Sequence, residues 1–328
     1  MARPAPRRAR AHWDVERRNQ VLLVALVVAV VVAALGIALF GYYQTHVAPK
    51  GKTVLQIGDR SFSLGYFERR ARFEVRSGNT AILSDASQAA NFLMVIVQRE
   101  ELIRLGAAEK GVAVTDKDID DDIRTRGGVS PDADHNVFAS AYRTAVQDSG
   151  LTTSDYRDFI AAGILEARLR QQFAGEAPAK AEQARYRVIR VATPEEAQAV
   201  LDRLNGGEDF AAVAAEVSTD ASSKDNGGEK PWAARGELED ALDQAIFALQ
   251  PGQRSGAVQT QNGAVVIEVL ERQPDRDISP EQRIALGDRA FGKWLADLRE
   301  RTRTVTYQNQ DQVNAILEAL ASEAGKRA

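Results

Sequence analysis

An unbroken run of twenty apolar residues, 21–40, sits behind a basic tail and ahead of a long polar chain. A helix of that length rises about 30 Å, the thickness of a bilayer's hydrocarbon core. Arg3, Arg7, Arg8, Arg10, Arg17 and Arg18 precede the run against only Asp14 and Glu16, and a cluster of that sign stays on the cytoplasmic side. Tyr42 and Tyr43 fall at the outer interface and Trp13 near the inner one. A cleaved signal has a shorter core of about 7–15 residues and a small-x-small cleavage site. This run closes on Leu39-Phe40-Gly41-Tyr42-Tyr43 instead. The expectation is a cytoplasmic tail over 1–20, a single-pass anchor over 21–43 and an extracytoplasmic remainder.

The chain has 328 residues and a net charge of −4, while the tail alone contributes +4. The exported part is therefore acidic. That argues against nucleic acid as a partner, because a phosphate backbone requires clustered Lys and Arg. Cysteine is absent, which excludes disulfides, thiolate nucleophiles, cysteine-ligated zinc and a lipid-modified cysteine. A remainder of about 280 residues suffices for two domains.

Val54-Leu55-Gln56-Ile57 and Ser61-Phe62-Ser63-Leu64 flank Gly58-Asp59-Arg60 and read as a hairpin. Helices follow over about 66–75 and 87–110, the second with Phe92, Val95, Ile96 and Ile103 on one face. Thr115-Asp116-Lys117-Asp118 has the form of a capping box. Residues 127–131 break the pattern, and Thr152 opens a helix bearing Tyr156, Phe159, Ile160, Ile164 and Leu165. This mainly helical block covers 53–180 and ends in a small-residue linker, 174–180.

Beyond the linker the pattern is mixed. A strand over 185–191 leads into Thr193-Pro194-Glu195-Glu196, a helix start with cap, N1 proline and N3 glutamate in place. A second helix covers 210–217, Gly227-Gly228 lies in a loop, and a third helix covers about 239–249. Pro251-Gly252 turns the chain into strands over 255–260 and 264–270 around Asn262-Gly263. Residues 183–273 thus read as a small α+β domain. Ser279-Pro280-Glu281-Gln282 opens another capped helix with Ile284, Phe291, Leu295 and Leu298 on its face, then a strand over 304–307 and a last helix near 311–321. The 279–328 tail cannot bury itself. The economical arrangement returns it to the 53–180 block, its strand beside the Val54 hairpin, and makes the mixed domain an insertion.

Several motifs carry no chemistry. Residues 287–293 (GDRAFGK) have the spacing of a phosphate loop, but Trp294 stands where Ser or Thr must bind the metal, and the stretch lies within a helix. Asp116, Asp118 and Asp120 alternate like a calcium loop without its glycine or closing glutamate, and read as a solvated acidic face. His12, His46 and His135 are too scattered for a triad or a zinc site.

An ordered set of residues runs through 185–272: Gly207-Glu208-Asp209-Phe210-Ala211, then Ala214, Glu216, Ser218 and Asp220, then Gly227-Gly228. It continues with Ala245-Ile246-Phe247-Ala248-Leu249, Pro251-Gly252, Ser255-Gly256, Val258, Thr260, Gly263 and Ile267. The set resembles a parvulin-type peptidyl-prolyl isomerase domain. The hairpin, the helical block with Val112-Ala113-Val114-Thr115 and the returning Trp294-Leu295 helix are similar to the chaperone module of SurA- and PrsA-type foldases. An uncleaved anchor is most like the PpiD group.

The resemblance implies a four-stranded antiparallel sheet with helices, inserted into a chaperone module built from both chain ends. It places the proline pocket at Leu238, Leu242 and Phe247, with Asp220 beside the bond and Asn262 and Thr260 in the segment that closes the groove. Val188 and Val265 line that pocket where parvulins carry two core histidines, and Lys230-Pro231 replaces the usual Leu-Gly. No cofactor and no metal are implied. The expected partners are unfolded or newly exported proline-containing polypeptides, met at the outer side of a bacterial cell membrane. The alternative is an inactive parvulin fold that only binds unfolded chains.

Overall fold

The computed structural model describes residues 8–83 and 86–326. Residues 1–7 and the side chains of 8–22 lie outside the described residues, and with them the basic tail and Trp13. The N-terminal part runs α1 (Arg8–Tyr42), β1 (Thr53–Ile57), β2 (Arg60–Ser63), α2 (Leu64–Arg76) and α3 (Ala86–Glu109). Next come α4 (Asp116–Arg126), α5 (His135–Ser149) and α6 (Thr153–Glu176). The mixed part is β3 (Lys180–Val191), α7 (Pro194–Asn205), α8 (Phe210–Val217), β4 (Glu229–Ala234), α9 (Asp240–Ala248), β5 (Val258–Thr260) and β6 (Gly263–Asp277). The chain closes with α10 (Pro280–Arg301), β7 (Thr304–Thr306) and α11 (Gln310–Ala324).

The described side chains of α1 are exposed from Leu23 onward, Ile37 most of all at 74 %. Among the described residues no helix is long and apolar enough to cross a membrane. Of the apolar run, the side chains of Val21, Leu22 and Ala25 lie outside them.

Two compact units follow from the packing, one of residues 1–98, 143–153 and 304–328, the other of 99–142 and 154–303. In the first, β7 arrives from the far end of the chain and pairs antiparallel with β1, Leu55 opposite Thr306, giving the order β2-β1-β7. The C-terminal strand thus lies beside the Val54 hairpin, while α10 belongs to the second unit rather than to this one. Ser63 caps α2, accepting from the Tyr66 N–H, and α2 buries Phe67 against this layer while α11 contributes Ile316 and Leu320. Gln312 Nε2 donates to Thr53 O at 3.3 Å, and Arg76 binds Glu323 at 2.8 Å.

In the second unit the three capped starts at Thr115, Thr193 and Ser279 all form. The acidic residues of α4 are an ion-pair face: Arg157 of α6 binds Asp116 and Asp120 at 2.7 Å each, and Arg168 binds Asp118. Residues 287–293 lie inside α10, as their helical setting required. Gly287 sits where two backbones meet, since a Cβ there would stand 2.5 Å from Ala174 N. Gly106 similarly makes room for Trp294, which packs on Phe173 and Phe291.

The second sheet is antiparallel with the order β4-β3-β6-β5. Its faces alternate with the two-residue period of a strand. Ile189 and Val191 join Ala264 and Val266 beneath α7 and α8, while Tyr186 and Val188 join Val265, Ile267 and Val269 beneath α9.

Four sequence expectations change. Strand β4 follows the Gly227-Gly228 loop where no strand is expected from the local pattern; it is an edge strand whose pairing with β3 shifts register at Pro231, where a missing N–H costs nothing. The buried row of α3 is Ala89, Ala90, Leu93, Val97 and Ile103, while Phe92 and Val95 are exposed. Two apolar rows interleave on that helix, and the row that carries Ala89 and Ala90 is the one that packs. Ile284 is exposed whereas Phe291, Leu295 and Leu298 are buried. Finally, α5 adds a helix over a stretch with no expected element, although Phe138, Tyr142 and Val146 recur there at helical spacing, and α6 continues to Glu176 over the first three residues of the expected linker.

Candidate functional site

The central strands β3 and β6 place their side chains by alternation, and α9 lies across one face of them. Val188 of β3 and Val265 of β6 are 2 % and 0 % exposed there, and Leu242 and Phe247 of α9 are 8 % and 5 % exposed. Leu238, in the turn before α9, packs against the same cluster but remains partly exposed. The five apolar residues expected to form a pocket therefore converge. Four are closed to solvent, and Leu238 lies beside them partly exposed.

The polar edge comes from β4. Lys230 stands opposite Tyr186 across the β3–β4 ladder, and directly paired residues present their side chains on one face. Lys230 Nζ lies 2.5 Å from Asp220 Oδ2. The same carboxylate accepts from the hydroxyls of Ser222 and Ser223 at 2.8 Å each. Burial pushes the Asp220 carboxyl up, but Lys230 and the two serines more than offset it and hold the group below the ordinary carboxylate range. Burial likewise pushes the Tyr186 phenol up, reinforced by the carboxylates of Glu237 and Asp220.

The β5–β6 turn holds the other two expected polar residues. Thr260 Oγ1 donates to Gly263 O at 2.7 Å and accepts from the Asn262 N–H at 3.3 Å, so this hydroxyl braces the turn. Asn262 is exposed at its tip. At the far end of α9 the guanidinium of Arg235 lies 4.4 Å from the Phe247 ring centre. Arg235 and Arg272 both bind Glu182, which neutralises one of the two charges over that ring.

Sequence reasoning passed over Tyr186, Lys230 and Arg235. Tyr186 was accessible to it, lying two residues before Val188 and hence on the same strand face. In the sequence Lys230 marks only a departure from the usual leucine; its pairing with Asp220 requires β4, which no local pattern signals.

The Lys230–Asp220 pair has a pH signature. A carboxyl held low in the fold stabilises fully above its unfolded pKa of about 3.9, and the contribution is lost as pH falls through the folded value. Lys230→Met removes the partner and leaves burial, which favours the protonated acid. The variant is expected to be less stable by about 1–2 kcal/mol near neutral pH. That gap should narrow below about pH 4. Urea unfolding of both proteins across this range measures it, and a gap independent of pH would mean that the ion pair contributes nothing.

With this geometry in view, residues 181–271 match the rotamase family, a PPIC-type PPIASE domain. The domain is thus of the parvulin isomerase class. Residues 14–185 match the SurA-like N-terminal domain family, and the chain belongs to it. The Chaperone SurA of Dechloromonas aromatica is 32% identical over 174 residues, covering 47% of this chain and 39% of that protein. The Periplasmic chaperone PpiD of Escherichia coli K12 is 40% identical over 86 residues, covering 26% of this chain and 14% of that protein. The chain therefore spans well under half the length of these curated relatives. Among solved structures, the peptidylprolyl isomerase PrsA of Bacillus anthracis aligns with a TM-score of 0.41 at 19% identity, covering 72% of this chain and 97% of that one.

Proposed function

We propose that the chain is a membrane-anchored foldase that isomerises X–Pro bonds in newly exported polypeptides. The carrying observation is the apolar floor of Val188, Val265, Leu242 and Phe247 with Leu238 at its rim, bordered by the Asp220–Lys230 pair. Rotation about an X–Pro bond faces a barrier of about 20 kcal/mol, and no nucleophile is needed to lower it. The twisted amide has lost its resonance and is less polar than the planar one. A dry surface holding the proline ring therefore favours it, and a thousandfold gain needs only about 4 kcal/mol. Leu238 and Leu242 grip the ring, Phe247 supports them from below, and Asn262 closes over the peptide. Asp220 acts as a fixed charge beside the amide.

The exposed apolar length of α1 and the arginine-rich segment before it support a single span with the N-terminus in the cytoplasm. The chain should then resist alkaline extraction from membranes, and deleting residues 1–43 should release it.

A second reading is a holdase that binds unfolded segments without turnover. It is favoured by the two valines in the floor and by Asp220 being neutralised by Lys230. Exchange spectroscopy on an uncharged proline peptide decides between them. The proposal expects cis–trans exchange at least about tenfold above buffer, with Leu238→Ala weakening the peptide about fivefold at little cost in stability. Peptide binding with exchange no faster than buffer leaves the holdase.

A further inference from the structure

Helix α10 directs one stripe of side chains at the turn that carries Leu238. Gln282, Leu286, Arg289 and Lys293 follow one another at helical spacing; the first two meet the segment between β4 and α9, and the last two meet the first residue of α9. Gln282, 8 % exposed, donates through Nε2 to Trp232 O at 2.9 Å and to Glu237 Oε2 at 3.3 Å. A Cβ on Gly236 would lie 3.6 Å from Leu286 Cδ2. Arg289 and Lys293 bind Asp240, the first residue of α9, at 2.7 and 2.8 Å.

The amide of Gln282 is itself held. Its oxygen accepts from the Ser279 N–H in the capping box, and its nitrogen also reaches Gln183 Oε1 at 3.2 Å. Gln183 is fully buried and donates to Arg276 O and Asp277 O at 3.3 and 3.0 Å. The turn is braced from within as well. Ala234 N–H donates to Glu237 Oε2 at 2.8 Å, and Gly236 N–H donates to Asp243 Oδ1 at 2.6 Å. The backbone around Leu238 is thus held both by α10 and by the turn's own bonds.

We propose that α10 positions the proline groove, with Gln282 as the positioning residue and Arg289 and Lys293 as a second, electrostatic hold on α9. The inference rests on the groove reading given above and deepens it. The groove is not a property of residues 183–273 alone: the helix that follows them sets the height of its rim. A shift of α10 along its axis moves Leu238 relative to the floor and so changes the affinity for the proline ring.

The test uses the full chain in detergent with an uncharged proline peptide, comparing wild type, Q282L and R289Q/K293Q. Q282L should raise the peptide KM about tenfold and leave kcat nearly unchanged, because it loosens the grip and leaves the floor. R289Q/K293Q alters one half-buried and one exposed group outside the apolar core and should fold normally; it should weaken the peptide about two- to fivefold. Added salt should lower wild-type affinity towards that of the double variant, whose own affinity should not respond. Hydrogen exchange across 234–240 should quicken in both variants. Unchanged exchange and unchanged affinity in the double variant would overturn the inference. A wild type that binds no peptide would overturn the groove reading instead, while the exchange rates still report whether α10 holds the turn.

Discussion

Gly263→Val is expected to unfold the four-stranded sheet, a loss of at least about 3 kcal/mol. The residue opens β6 after the Gln261-Asn262 turn at φ +108°, where a side chain is strained whatever the space. Space is missing too: a Cβ would stand 2.3 Å from Val191 O and 3.4 Å from Val191 C. Val191 is paired with Ala264 in the central ladder, so the collision is relieved only by separating β3 from β6. Gly252→Ala is the control. Its φ is +84° with nothing within 4 Å, so it should cost only the backbone strain of about 1–2 kcal/mol. Urea unfolding of the two variants beside the wild type separates strain from collision. Equal small losses would mean that the turn swings clear of Val191, and Thr260 and Asn262 would then not be held at the groove by this contact.

What could be read from the chain before its structure follows one physical line. Local signals with a chemical cause inside a few residues were legible: the capping residues Thr115, Thr193 and Ser279 each begin the helix they announced. Convergence of Leu238, Leu242, Phe247, Val188 and Val265 came from the resemblance, because no local pattern brings residues fifty positions apart to one face. Long-range polar contacts were illegible. Lys230–Asp220 depends on an edge strand that tolerates Pro231 at a register shift, and Gln282 to Trp232 O spans fifty residues. Hydropathy also failed to choose between interleaved apolar rows on α3, because both rows are apolar and only the tertiary partner of one buries it. Composition-level inferences about the acidic α4 were sound about chemistry but not about setting. Its carboxylates are committed to Arg157 and Arg168 rather than merely solvated.

Phe247→Ala should be the most damaging change in the apolar cluster under α9, at about 3–5 kcal/mol. The ring is 5 % exposed and fills the space between α9 and the sheet. It is also the surface on which Arg235 rests, and that guanidinium is drawn to the ring face. Phe247→Leu keeps most of the volume and loses the π face, so it should cost less, about 1–2 kcal/mol. Leu238→Ala removes a partly exposed side chain and should scarcely move the unfolding midpoint. The groove reading therefore predicts a division of labour: stability follows Phe247, and peptide affinity follows Leu238. Thermal unfolding and peptide titration of the three variants measure both quantities on the same proteins. If Leu238→Ala left affinity untouched while the milder Phe247→Leu abolished it in a folded protein, the proline ring would have to bind deeper than this rim. The floor would then have to open to receive it, moving Arg235 off the ring and breaking its bonds of 2.6 and 2.8 Å to Glu182.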